Sequence, residues 1–144
     1  MFRKNNNFKV FACLALSVIM MSGITSCSKD DGDYRDVFVG SYSGNESYSD
    51  GTISHTSPYT AIVTKSSESP GKVVINAEFM VVGRTEAVAV DVSKEGTFST
   101  SFASVVENVS QTVVVSTGKF ANGKLTYSYW VQNYFTYSVD VTKL

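Results

Sequence analysis

Two alternating runs of residues meet at Asn122-Gly123. Residues 112–120 precede the pair. After it, Leu125, Tyr127, Tyr129 and Val131 alternate with Thr126, Ser128 and Trp130. Alternation with period two marks a strand with one face buried. Asn-Gly accepts the positive φ angles that a two-residue hairpin turn requires. Together these features predict a hairpin, and the same pattern recurs along the chain from residue 37 onward. Val73, Ile75, Ala77 and Phe79 alternate with Asn76 and Glu78, and Val88, Val90 and Val92 repeat the motif. After residue 26 the only leucines are Leu125 and Leu144, while Val, Tyr, Thr and Ser abound. β-Branched and aromatic side chains suit a half-buried pleated surface. No apolar stripe at helical spacing runs beyond two turns, so the expected class is all-β.

Punctuation by Gly, Pro, Asn and Ser divides residues 37–144 into eight expected strands. They span about residues 37–48, 58–65, 72–80, 85–92, 97–102, 112–120, 124–132 and 134–142. Phe38, Gly40 and Tyr42 share a face of the first. Tyr59, Ala61 and Val63 share a face of the second, and Phe98 and Phe102 of the fifth. Phe135, Tyr137, Val139 and Val141 share a face of the last. Residues 103–110 are ambiguous between a strand extension and a cover over one end. Eight strands joined by short turns predict a meander. An open meander would expose two edges, which closure into a barrel removes. A β-sandwich is the alternative.

The N-terminal segment has a different character. Arg3, Lys4 and Lys9 precede an apolar run over residues 10–21, and small residues lead to Cys27. This is the layout of a secretory signal. The run is well short of the roughly 20 residues that cross a bilayer as a helix. Ile24-Thr25-Ser26-Cys27 resembles a bacterial lipobox. The resemblance implies cleavage of residues 1–26, a diacylglycerol on the Cys27 thiol and acylation, such as palmitate, of the new amine. Two or more acyl chains make a firm anchor. Ser28, Lys29, Asp30 and Asp31 resemble the export tag of surface lipoproteins in Bacteroidota. The implied location is the outer membrane, facing outward, with a periplasm-facing domain as the alternative. Residues 27–36 read as the lipidated cysteine and an acidic, flexible tether.

Of the 12 basic residues, three lie in the signal, so nine face 13 acidic ones and the net charge after cleavage is −4. No basic stripe marks a nucleic-acid partner. Cys13 leaves with the signal and Cys27 is taken by lipid, which leaves no disulfide and no thiolate site. Residues 37–144 suffice for one domain.

Val39-Gly40-Ser41-Tyr42-Ser43-Gly44, together with the Gly-Lys-Leu-Thr-Tyr-Ser-Tyr run at residues 123–129, resembles the small lipocalin-like or calycin-like lipoproteins of Bacteroidota. True lipocalins carry Trp where this chain has Tyr42. The resemblance implies a barrel closed by eight strands, which is just wide enough to be filled by side chains or to hold one small ligand. It implies little about activity, since fold does not fix function.

Candidate chemistry is sparse, and no enzyme is expected. His55, the single histidine, sits in a polar segment and reads as a solvated loop residue. One His and scattered carboxylates argue against a metal site, and no cofactor is expected. Glu78, Glu86, Asp91 and Asp140 fall on strands and read as outward charges, not as a glycosidase pair. The aromatics stand out. Tyr127, Tyr129, Phe135 and Tyr137 are expected on inner faces, as core filling or as the lining of a pocket for an apolar molecule or glycan. Trp130 is out of phase with them, and is either outward or turned by a bulge. An outward Trp130 beside Tyr134 would offer a docking patch for a sugar or a protein. A hollow interior favours the ligand-binding reading; a filled barrel with clustered exposed aromatics favours the docking reading.

Overall fold

The structure, a computed structural model, describes residues 32–132 and 134–144. The expected signal, Cys27 and the Ser28, Lys29, Asp30 and Asp31 tag lie outside the described residues. Asp33–Leu144 forms one compact unit. A 3-10 turn, Tyr34–Val37, is followed by eight strands: β1 (Gly40–Ser49), β2 (Ser54–Lys65), β3 (Lys72–Phe79), β4 (Arg84–Asp91), β5 (Thr97–Val106), β6 (Val109–Ala121), β7 (Lys124–Val131) and β8 (Thr136–Lys143). All pairings are antiparallel, in the order β4-β3-β2-β1-β8-β7-β6-β5. The meander thus curls into a nearly closed barrel. The expected all-β, eight-stranded architecture is the one observed.

Closure is incomplete at one seam. β4 and β5 follow each other in sequence without a ladder between them. Side chains bridge the seam instead. Ser104 Oγ donates to Glu86 Oε1 at 2.6 Å, Arg84 Nη2 donates to Ser104 Oγ at 3.2 Å, and Thr100 Oγ1 reaches the Ala89 carbonyl at 3.5 Å. Glu86 therefore departs from the outward placement expected of it. It shares the face of Val88 and Val90 and pairs opposite buried Ala77. Arg84 and Ser104 satisfy its carboxylate there and hold its pKa below the usual range, the Ser104 hydroxyl most of all.

The alternation predicts the inner faces of β2, β3, β4 and β7 correctly. Tyr59, Ala61, Val63, Val73, Ile75, Ala77, Phe79, Val88, Val90, Leu125, Tyr127, Tyr129 and Val131 are all buried. Asn122 and Gly123 both adopt positive φ, 52° and 73°, and close the β6–β7 hairpin as their sequence requires. A bulge at Thr117 and Gly118 switches the inward set of β6 from Val113 and Val115 to Gly118 and Phe120. The ambiguous stretch 103–110 resolves into longer strands. β5 runs to Val106, and Glu107 and Asn108, both with positive φ, turn directly into β6.

The two ends of the barrel differ. One end is plugged by the N-terminal segment. Phe38 stacks on Phe120 with ring centroids 4.9 Å apart, and the Tyr34 hydroxyl donates to the Val92 carbonyl at 3.0 Å. Arg35 Nη1 donates to the Lys72 carbonyl at 2.9 Å. Asp33 caps the 3-10 turn, accepting from the Arg35 N–H at 3.1 Å. Asp33 and Asp36 both pair with Lys65, at 3.3 and 2.5 Å. Residues 33–36, expected as part of a free tether, thus belong to the folded unit, because Arg35 and Lys65 supply the countercharges. Arg35 in turn holds the Asp33 carboxyl well below its usual range.

Candidate functional site

The other end is the open rim, formed by the β1–β2 hairpin tip, residues 80–83, the β5–β6 turn, and Tyr134 and Phe135 ahead of β8. The β1–β2 ladder runs from Gly40↔Val63 to Ser49↔Ser54. The β2–β3 ladder covers only Ala61↔Ala77 to Lys65↔Val73. β2 above Ala61 is therefore unpaired on its β3 side. Pro58, which has no N–H to offer a ladder, lies in that free stretch. The gap leaves a cleft of about 290 Å³, lined by Glu46, Ser57, Pro58, Tyr59, Thr60, Glu78 and Met80.

Glu46 is the unexpected residue. It is a carboxylate only 3% exposed, on the inner face of β1 in step with Tyr42. It accepts from the Tyr129 hydroxyl and from the Met80 N–H, the latter at 3.2 Å to Oε2. Continuing the β2–β3 register would set Met80 opposite Pro58, so the Glu46 carboxylate serves a strand end whose ladder has stopped. Burial raises the Glu46 pKa, against the opposing pull of its two donors. Among the described residues, none of the ion pairs includes Glu46 or Glu78.

The raised pKa has a stability consequence of definite sign. Between its unfolded and folded pKa values Glu46 holds more proton in the native state, so its contribution falls as pH rises through that window. Glu46→Gln removes this dependence. The stability of the variant relative to wild type, measured by urea unfolding, should therefore climb as pH is raised upward from the ordinary glutamate range. A difference that stays flat with pH would contradict the assignment.

The expected aromatic set divides in two. Tyr127, Tyr129 and Tyr137 are buried together. The Tyr127 hydroxyl pairs with that of Tyr59, and the Tyr129 ring stacks on Tyr137 at 4.9 Å and 6°. Burial raises the pKa of Tyr59, Tyr127 and Tyr129, which keeps them as neutral hydrogen-bonding groups. Phe38, Phe120, Phe98, Tyr127, Phe79, Tyr129 and Tyr137 form a continuous chain of ring contacts through the interior. Side chains therefore occupy the barrel axis from the plug to the rim.

Phe135 is not in that interior. It is 44% exposed, because it precedes β8 and stands beyond the wall, where its ring stacks on Tyr48 at 5.1 Å. His55 is likewise not in a loop. It lies in β2 directly opposite Tyr48, and the two rings stack at 4.6 Å and 10°. Tyr48 also meets Tyr137 at 5.1 Å, so the interior chain of rings continues out to the exposed rim pile of His55, Tyr48 and Phe135. Ser47, Ser49, Ser54, Thr136 and Ser138 line a groove of about 410 Å³ beside Tyr48 and Phe135. Trp130 is outward and 42% exposed, as one of its two expected placements had it. It lines a separate groove of about 540 Å³ with Val109, Gln111, Val114 and Gln132. Tyr134 instead turns to donate to Glu107 Oε2 at 2.7 Å.

Glu46 and the rim pile were legible in principle. Extending the face of Gly40 and Tyr42 by period two reaches Gly44, Glu46 and Tyr48. Among the described residues, no group of three or more His, Cys, Asp and Glu gathers as metal ligands. No protein-family model, curated protein or solved structure matches the chain.

Proposed function

We propose that the chain is an outer-membrane lipoprotein, anchored through Cys27 and displayed at the cell surface, whose barrel binds a small ligand at its rim without catalysis. One observation supports the placement of the ligand. Rings fill the barrel axis, and the open end carries a groove in which exposed rings and hydroxyl side chains meet. There the rim pile offers apolar ring surface, and five hydroxyl side chains line the outer side of the same strand ends beside Tyr48 and Phe135. That combination suits a glycan fragment, whose C–H faces pack on aromatic rings while its hydroxyls take and give hydrogen bonds. Tyr127, Tyr129 and Tyr137 support this site from beneath and do not touch the ligand. Phe135, with Tyr48 and His55, meets it.

A second reading rests on Trp130. Its groove with Val109 and Val114 is an outer-face patch suited to docking another protein. The two readings separate by substitution. Phe135→Ala should weaken glycan binding, read on an array of bacterial and host oligosaccharides, by about tenfold or more, and Trp130→Ala should leave it unchanged. The reverse order would favour the docking patch. The anchor has its own test. Cys27→Ser should abolish incorporation of labelled palmitate and shift the protein out of the membrane fraction; undiminished labelling would refute it. Replacing Lys29, Asp30 and Asp31 by Ala should protect the barrel from protease added to whole cells.

A further inference from the structure

The cleft between β2 and β3 holds a charge imbalance that the rim pile does not explain. Glu46 is buried, faces the cleft and has no basic side chain paired with it among the described residues. A carboxylate has about four acceptor positions, and two donors, Tyr129 and Met80, occupy part of them. Glu78 adds a second carboxylate at the cleft edge, close enough to act on Glu46 electrostatically. The remaining wall is Tyr59, Pro58 and Met80, an aromatic, a ring and a thioether. A buried carboxylate without a countercharge is costly, and a cation supplied from outside relieves that cost. A tyrosine and a methionine beside it favour an organic ammonium, which packs its alkyl stem and gains from the ring.

We infer that this cleft takes a protonated primary amine, with Glu46 as its ion-pairing group, Glu78 as the outer guide and Tyr59 and Met80 as the walls. Glu46 and Tyr48 are two residues apart on one face of β1, roughly 7 Å. A single ligand, such as an amino sugar or an amine-bearing side chain, therefore spans cleft and rim. The inference rests on the rim-binding reading and specifies the charge of what binds.

The test uses benzylamine and its neutral counterpart benzyl alcohol, titrated into the full chain in detergent and followed by amide NMR. The Met80 N–H is the direct reporter of the Glu46 carboxylate. Benzylamine should shift it saturably, with an affinity at least about tenfold above that of the alcohol. Glu46→Gln keeps one acceptor oxygen, at the Oε1 position that receives the Tyr129 hydroxyl and lies 3.4 Å from the Met80 N–H, and should erase the preference. Glu78→Gln, at an exposed site, should reduce it about threefold and serves if the first variant fails to fold. Equal binding of the two probes at the rim would overturn the amine assignment and leave rim binding standing. Absence of any shift at Met80, Tyr48 or Phe135 with either probe would overturn the amine assignment and count against the rim as well. Retention of the preference in both variants would overturn the roles of Glu46 and Glu78.

Discussion

Tyr129→Ala should destabilise the barrel by about 3–5 kcal/mol, the range for emptying a buried aromatic site. Tyr129 is fully buried, and its ring touches Phe79, Tyr127 and Tyr137, so the void would open at the centre of the ring chain. The loss is compounded by Glu46, which would forfeit a hydroxyl donor while staying buried. Against a typical total of about 5–15 kcal/mol this is a large share. Urea unfolding should show it as a midpoint shift. Tyr129→Phe separates the two parts, since it keeps the ring and removes only the donor. It should cost about 1–3 kcal/mol, less at low pH, where Glu46 is protonated and needs the donor less. A cost for Tyr129→Ala no larger than that for Tyr129→Phe would mean that the ring does not hold the interior together.

Gly44→Val should be nearly as damaging, by about 3 kcal/mol, for a different reason. A Cβ at Gly44 would lie 2.3 Å from the Asp140 carbonyl oxygen and 2.8 Å from Val141 Cα. Both are backbone atoms of β8, so no side-chain rotation relieves the clash. β1 and β8 are the pair that joins the first four strands to the last four. Prying them apart adds a breach to a barrel that already has a seam between β4 and β5. Ser41→Val is the control. Ser41 is exposed on the same strand, and valine favours strands, so a change within about 0.5 kcal/mol is expected. Equal costs at the two sites would mean that general intolerance of β1, and not the close approach at Gly44, is responsible.

The strands were legible because most obey one rule. β3 and β7 alternate without interruption, and their buried faces follow directly from the residue types. The rule also locates what it was not used to find. Glu46 is in phase with Tyr42, and Glu86 with Val88, yet a charged residue invites an outward reading because an isolated buried charge is costly. Glu46 takes its donors from β7 and the β3–β4 turn, and Glu86 takes its hydroxyl donor from β5, all far away in sequence; only Arg84, two residues from Glu86, is a local partner. The β5–β6 turn was obscure because Glu107-Asn108 lacks the glycine that marks Asn122-Gly123. Phe135 failed for want of a neighbour. Alternation assigns a face only where a ladder holds the backbone, and β8 begins one residue later, at Thr136. The seam was invisible because strand count predicts closure but not which pair is left unjoined.

The plug has a mechanical consequence. The chain enters the barrel at the closed end, through Asp33–Val37, and passes directly into β1. β1 is flanked on both sides, by ten residue pairs with β2 and seven with β8. A pull on the chain ahead of Asp33, resisted by a ligand held at the rim, would run along the axis of β1. The load would fall on both ladders at once, in shear, and their hydrogen bonds would have to break together and not one after another. Two ladders loaded in parallel shear would hold against a larger force than the same hydrogen bonds opened one at a time.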